Sequence, residues 1–249
     1  MSKISEAMKR ARKEREGTGE ARLGAPDSGR VVVRSARPNH RVVDPEQYHA
    51  LASEIVLALP SASSRVVMFA SAVREEGTST VAAEFAATLA STAEQPVLLI
   101  DANLRHPVLH TMFGVARDPG LADHILNDVP LSECLRETDV PHLTVLPVGR
   151  RAVAPPRVFS DPRMKRLLKD VRGRFAYVIL DMAALVQYSE GFQLSRDVDG
   201  VVIVIKAGRT KRELVEHATE LLKDAGARVL GIVLNRRRYY IPKFIYERL

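Results

Sequence analysis

The chain has 249 residues, of which 46% are hydrophobic and 5% aromatic, and its formal net charge is +7. This length suits one large domain or two small ones, and the composition suits an α/β core rich in Ala, Val and Leu. The single cysteine, Cys134, excludes an intrachain disulfide and fits a reducing cytosol. No apolar run has the length of a membrane span, and the first residues lack the apolar core of a secretory signal.

Positive charge is concentrated at the two ends of the chain. Residues 1–49 and 235–249 each carry a surplus of +4, whereas the stretch between them sums to −1. We therefore predict a basic N-terminal helix and flexible linker in residues 1–43, a globular domain in 44–235 and a basic tail in 236–249. Such ends suit an anionic membrane surface or an acidic partner, and a solvated tail is an equally good interpretation. Nucleic acid is not an expected partner, since the tail offers only a weak signal for it.

From Asp44 onward, helix-like and strand-like stretches alternate. A first helix with Leu51, Ile55 and Leu59 on one face precedes the first strand. We predict Ser79 and Thr80 as caps of the second helix, and Thr210 as the cap of the last one. Strands are predicted at RVVMFAS, within QPVLLIDANLRHP up to Asp101, at HLTVLPVG, FAYVILD, DGVVIVIKAG and ARVLGIVLN. Alternation of this kind predicts an α/β fold, a doubly wound, mostly parallel sheet with helices on both faces.

The loop after the first of these strands is typical of a phosphate-binding turn. Gly77 punctuates the loop, and Thr78, Ser79 and Thr80 open the helix that follows. A helix N-terminus aimed at such a loop can bind phosphate through its backbone N–H groups. The loop does not match the pattern G-x-x-x-x-G-K-[ST], because Thr78 occupies the Lys position.

Two other strands end in a carboxylate. Asp101 ends the second predicted strand and Asp181 ends the fourth. In a doubly wound sheet, ligands bind beyond the carboxyl ends of the strands. Together with Ser79, the two carboxylates could hold a hydrated Mg²⁺ that bridges nucleotide phosphates. The alternative is that each Asp simply terminates its strand.

Three motifs in order give the chain its resemblance: SAVREEGTST, LLIDANLRHP and VILD. They resemble the loop and strand-end motifs of the bacterial tyrosine kinases of capsule and exopolysaccharide biosynthesis, within the Mrp/MinD/ParA class of P-loop proteins. The resemblance extends from about Pro45 to Asn235 and implies a P-loop NTPase-like fold that uses ATP or ADP with Mg²⁺. The resemblance implies that nucleotide is bound by Gly77, Thr78, Ser79, Thr80 and Arg105. It implies catalytic roles for Asp101, Asp181 and Asn103, and metal binding by Ser79, Asp101 and Asp181. The candidate phospho-acceptors are Tyr239, Tyr240 and Tyr246.

The chain departs from the family pattern at positions that the resemblance implicates in nucleotide binding, catalysis and oligomerisation. Thr78 replaces the loop Lys, Glu75 replaces the first loop Gly, and Asn103 replaces the family's second Asp after the strand. The family's T-P-P after the last Asp is Met182, Ala183 and Ala184 here. In the family's oligomerisation motif E-x-x-R-x-x-R, the chain keeps Glu46, and has His49 and Ala52 in place of both arginines.

These departures favour a catalytically impaired relative of the kinases. The resemblance implies a cytoplasmic protein, peripheral to the inner membrane, that docks on the cytoplasmic face of a polysaccharide co-polymerase. It also implies a homo-oligomer, or a hetero-oligomer with an active kinase. One alternative is an active tyrosine kinase with a divergent loop. A MinD/ParA-type positioning ATPase is disfavoured, because Val73 stands where that class has its signature Lys.

Overall fold

The computed structural model describes the backbone of residues 31–34 and residues 45–59, 64–150 and 155–235. The predicted N-terminal helix and the three tail tyrosines Tyr239, Tyr240 and Tyr246 lie outside the described residues. None of the described helices is long and apolar enough to cross a bilayer.

The centre of the fold is a mostly parallel sheet of eight strands. Their order across the sheet is β1-β8-β7-β2-β6-β3-β5-β4, and only the β4–β5 pair is antiparallel. The strands are β1 (Val31–Arg34), β2 (Arg65–Ser71), β3 (Val97–Asp101), β4 (Arg136–Glu137), β5 (Leu143–Leu146), β6 (Tyr177–Asp181), β7 (Gly200–Lys206) and β8 (Val229–Asn235). The predicted fold class is thereby confirmed.

Nine helices flank the strands in the part of the chain that the structure describes. They are α1 (Pro45–Ala58), α2 (Thr78–Ala93), α3 (Leu109–Met112), α4 (Leu121–Asn127), α5 (Leu131–Cys134), α6 (Pro155–Ser160), α7 (Pro162–Arg172), α8 (Glu190–Leu194) and α9 (Arg212–Asp224). Asp161 is the N-cap of helix α7, and its side chain accepts a hydrogen bond from the Arg163 N–H.

Two hydrophobic cores lie on opposite faces of the sheet. Successive side chains of a strand point to opposite faces, so Met68 of β2 packs with α7 and α9, while Phe69 packs with α1 and α2. All the residues of β3 and β6 are buried, as expected for strands that are covered on both faces. This double cover brings the N-terminus of α2 to the carboxyl edge of the sheet.

Three local predictions differ from the structure. Val31–Arg34, within the segment predicted to be a linker, forms an edge strand parallel to β8. Ser79 and Thr80 lie in the first turn of α2, whose N-cap is Gly77 in the left-handed region. Thr210 does not cap α9, because its hydroxyl donates to Glu76 instead. Each difference comes from a tertiary contact that local sequence does not report.

Candidate functional site

A cavity opens at the carboxyl end of β2, where α2 begins. Its volume is about 370 Å³. Strand order places β6 and β7 on either side of β2, so this is the switch point at which ligands bind in doubly wound sheets. The lining comes from four stretches: the β2–α2 loop with the start of α2, the loop after β3, the loop after β6, and the approach to α8. The lining residues are Ser71, Arg74, Glu75, Glu76, Gly77, Thr78, Ser79, Thr80, Asn103, His106, Val108, Met182, Ala183, Ala184 and Tyr188.

The backbone of the β2–α2 loop has the shape of an anion-binding turn. Glu75 and Gly77 both have positive φ, at 66° and 87°. When residues in the left-handed backbone conformation alternate with residues in the right-handed one, successive N–H groups point toward the same place. This arrangement favours a bound anion. The cost falls on Glu75, because this conformation costs a residue with a Cβ roughly 1–2 kcal/mol relative to glycine. The positive φ explains why a glycine suits this position, as the sequence predicted.

Contacts to β7, β8 and the β7–α9 loop hold this loop in place. The buried Glu76 carboxylate accepts hydrogen bonds from the Val73 and Lys206 N–H groups at 3.3 Å, and also from the Thr210 hydroxyl. The Asn235 amide nitrogen donates to the Glu76 carbonyl at 2.7 Å. Asn235 packs so tightly that a Cβ added to Gly77 would lie 2.2 Å from its amide nitrogen. These contacts within the protein hold the loop in a shape that can bind phosphate.

Asp101 and Asp181 face each other behind the loop. They are register partners on the adjacent strands β3 and β6, and both are fully buried. The backbone N–H of Leu109 donates to Asp101 Oδ2 at 3.2 Å. Asp101 Oδ1 and both oxygens of Asp181 have no hydrogen-bonding partner within the described residues. Carboxylate oxygens left unsatisfied in this way are costly, so their presence points to a ligand that satisfies them.

Burial changes the acidity of both groups. Desolvation raises the pKa of Asp101 to about 7, against the opposing effect of backbone hydrogen bonds from Leu109, Asn103 and Val108. Desolvation also raises the pKa of Asp181 well above its usual value. The charge of Asp101 adds to that rise, and the nearby Ser79 hydroxyl acts in the opposite direction. A cation between the two carboxylates would favour their charged forms.

These residues fit Mg²⁺. Magnesium is usually bound by one or two carboxylates, with water and phosphate oxygens completing the shell. Asp101, Asp181 and Ser79 supply such a set, and Ser79 also lines the cavity. No cluster of three or more His, Cys, Asp or Glu side chains capable of holding a metal occurs in the described residues, so an ion held by protein groups alone is not indicated.

Three of the predicted site residues that the structure describes are not part of the cavity lining: Asp101, Asp181 and Arg105. Arg105 is held elsewhere by its own contacts. Its guanidinium donates to the buried Glu190 Oε1 and lies 4.0 Å from the centre of the Tyr188 ring. Asn103 does line the cavity, and its Oδ1 accepts from the His106 N–H at 3.2 Å. The structure thus brings the predicted loop residues and Asn103 to one cleft. The carboxylates are buried outside its lining, with Asp181 next to the lining residue Ser79, and Arg105 stacks on Tyr188.

Comparison with known proteins places the chain in a family. No protein-family model matches it. It is 30% identical over 209 residues to the tyrosine-protein kinase YwqD of Bacillus subtilis, covering 84% of this chain and 87% of YwqD. The chain belongs to the bacterial tyrosine-protein kinase family of capsule and exopolysaccharide biosynthesis. It is also 32% identical over 181 residues to the succinoglycan biosynthesis transport protein ExoP of Rhizobium meliloti, covering 72% of this chain and 23% of ExoP.

Solved structures agree with this kinase family and its fold. The VpsO kinase domain superposes with a TM-score of 0.70 at 28% identity, covering 78% of this chain and 96% of that domain. The septum site-determining protein MinD of Pyrococcus horikoshii, complexed with Mg-ADP, superposes with a TM-score of 0.59 at 24% identity, covering 74% and 76%. The second likeness shows that the fold is that of a P-loop ATPase.

The structure shows where the residues that depart from the kinase family pattern lie. Thr78 is the first residue of α2, is buried and lines the cavity. Met182, Ala183 and Ala184 line the opposite side. In the segment of the oligomerisation motif, Glu46 and His49 are exposed on α1, whereas Ala52 is buried against α2. An arginine at position 52 would therefore require a different packing of α1.

Sequence reasoning missed three groups that shape the site. Asn235 ends β8 as Asp101 ends β3, so the rule of polar residues at strand ends could have found it. Glu76 and Thr210 are 134 residues apart, and nothing in the sequence pairs them. The same holds for Glu75 and Arg209, which form an ion pair at 3.3 Å.

Proposed function

We propose that this chain is a catalytically impaired member of its family that acts as a cytoplasmic partner and regulator of capsule or exopolysaccharide polymerisation and export. It would dock on the cytoplasmic face of an inner-membrane polysaccharide co-polymerase, alone or as a hetero-oligomer with an active kinase. The observation that carries the proposal is Thr78 at the first position of α2, where the family pattern has the loop Lys.

Loss of that Lys bears directly on catalysis. Phosphoryl transfer depends on positioning and on cations that stabilise charge on the transferred group. A hydrogen bond from a charged donor contributes roughly 1.5–3 kcal/mol, and the Thr78 hydroxyl carries no charge. Asn103 replaces a carboxylate on the same rim of the cavity. The hydrogen bonds of Glu76 and Asn235 nevertheless hold the loop in place. A loop with a fixed shape and no catalytic lysine fits a protein that acts by binding.

The proposed partner follows from the family. ExoP is named as a transport protein of succinoglycan biosynthesis, and this chain matches 23% of its length. A chain that corresponds to one part of such a protein is suited to act beside the rest of it. Binding of ATP or ADP with Mg²⁺ belongs to the proposal, since the unsatisfied carboxylates and the loop are retained.

The second candidate function is an active tyrosine kinase with a divergent loop, completed in trans by a partner subunit. The carboxylate pair favours it, because Asp101 Oδ1 and both oxygens of Asp181 are buried without a hydrogen-bonding partner in the described residues. The two candidates differ in one respect: an active kinase forms phosphotyrosine with Mg-ATP, and an impaired one does not.

Docking is tested by co-sedimentation of the purified chain with inner-membrane vesicles. We expect more of the chain to bind vesicles that contain the co-polymerase than vesicles that lack it, because docking adds a protein contact to any attraction between the basic ends and anionic lipid. Binding should persist when ATP is omitted. Equal sedimentation with both kinds of vesicle would contradict docking, and so would binding that requires ATP hydrolysis.

A further inference from the structure

Arg74 has an unusual position among the residues of the cleft. It is the only lysine or arginine among the described residues that line the cavity. Its side chain is exposed, and within the described part of the chain it forms no ion pair and no hydrogen bond. An arginine at the mouth of an anion-binding turn, with no carboxylate partner, is available to a ligand.

Both acidic residues of the loop already have partners. Glu75, which lines the cavity, forms an ion pair at 3.3 Å with Arg209, a residue outside the lining. The Glu76 carboxylate is buried and accepts from three donors. Neither carboxylate is therefore paired with Arg74, and within the described part of the chain its guanidinium is left to a ligand.

The position of Arg74 also suits a phosphate. Arg74 immediately precedes Glu75, the first of the two positive-φ residues, on the turn whose N–H groups favour an anion. Thr78 has a short, uncharged side chain. Among the described lining residues, the loop therefore offers no lysine or arginine besides Arg74. A guanidinium can bind phosphate oxygens through two parallel hydrogen bonds.

We propose that Arg74 binds the phosphates of a nucleoside diphosphate in this cleft, in place of the lysine that the loop lacks. The unsatisfied oxygens of Asp101 and Asp181 support the presence of a Mg²⁺-bound phosphate ligand independently. The inference rests on the proposed function in one respect, the absence of a loop lysine. It deepens that function, because a partner without kinase activity would still respond to nucleotide.

The test is calorimetric titration of the purified chain with ADP and Mg²⁺, and separately with adenosine, which lacks phosphates. We expect Arg74→Ala to weaken ADP binding about tenfold or more, the loss expected when a charged hydrogen bond is removed. Adenosine binding should be unchanged, and Arg74→Lys should retain most of the ADP affinity. The matched control is Arg166→Ala, which removes an exposed arginine of α7 away from the cleft.

The outcomes separate this inference from the proposed function. Equal ADP affinity in wild type and Arg74→Ala would overturn the role of Arg74 and leave the docking proposal standing. Absence of ADP binding in the wild type would overturn it as well. Equal losses for ADP and adenosine would show that Arg74 acts on the shape of the cleft and not on phosphate. Formation of phosphotyrosine would refute catalytic impairment, whatever Arg74 does.

Discussion

Replacing Thr78 with Lys and Glu75 with Gly together is expected to raise the affinity of the chain for Mg-ADP by roughly tenfold to a hundredfold. Thr78 is the first residue of α2 and lines the cavity, so a lysine there would place its ammonium group near bound phosphate. Glycine at position 75 removes a negative charge from the loop and adopts a φ of 66° without the strain that a Cβ brings. Isothermal titration with ADP and ATP measures the effect.

The matched control adds the same charge to the same helix away from the cleft. Ser91→Lys lies in the exposed C-terminal part of α2 and should leave nucleotide affinity unchanged. The Glu75→Gly single variant separates relief of strain from addition of charge. If the double variant binds no better than a tightly binding wild type, Thr78 has not impaired the loop, and the kinase alternative gains support.

Replacing Asp181 with Asn is expected to stabilise the metal-free protein at pH 8. Asp181 is fully buried beside Asp101, and neither of its oxygens has a hydrogen-bonding partner among the described residues, so its charged form is costly. Removing that charge should raise the free energy of unfolding by on the order of 2 kcal/mol. For a chain of this size the melting temperature should rise by roughly 5 °C. Differential scanning calorimetry in the presence of a chelator measures it.

The free energy of unfolding of the metal-free protein should depend on pH with a definite sign. Burial raises the pKa of Asp101 to about 7 from 3.8, so the folded state binds more protons than the unfolded state in that range. The resulting stability is fully present below about pH 4 and is lost as the pH rises through 7. Asp181→Asn should weaken the loss of stability at high pH, because burial and the charge of Asp101 raise the pKa of Asp181, and the variant no longer ionises there.

The effect of added Mg²⁺ on the melting temperature distinguishes a metal-binding site from a buried carboxylate pair that only destabilises the fold. Mg²⁺ should raise the melting temperature of the wild type and not that of Asp181→Asn, because binding to the folded state alone adds stability. Asp170→Asn, which changes an exposed carboxylate on α7, is the control and should behave as the wild type. A wild type that is indifferent to Mg²⁺, together with a destabilised Asp181→Asn, would contradict the site.

The parts of this fold that sequence predicts are those with a strong periodic signal. The buried strands β2, β3 and β6 appear as apolar runs, and Asp101 and Asp181 appear at their ends, so the carboxylate pair follows from topology. Strand β1 was missed because VVVR is short and lies among Gly, Pro and Arg residues; its pairing with β8 is a tertiary contact.

The parts of the site that sequence could not predict are contacts between distant segments. A pattern shows that Arg105 follows a strand, but not that its guanidinium pairs with Glu190 on α8. It shows Glu75 in the loop, but not that Arg209 neutralises it. These pairings decide which charges face the cavity. The prediction that Arg105 binds nucleotide stays a prediction, whereas the place of Arg74 in the cavity lining comes from the structure.

Formation of phosphotyrosine tests the central claim most directly. The purified chain is incubated with Mg-ATP, alone and with the cytoplasmic part of its co-polymerase, and phosphotyrosine is quantified by mass spectrometry against the Asp181→Asn variant as background. We expect the wild type to equal that background in both mixtures. Phosphotyrosine that accumulates with the wild type and disappears with Asp181→Asn would contradict catalytic impairment and establish the chain as an active kinase with a divergent loop.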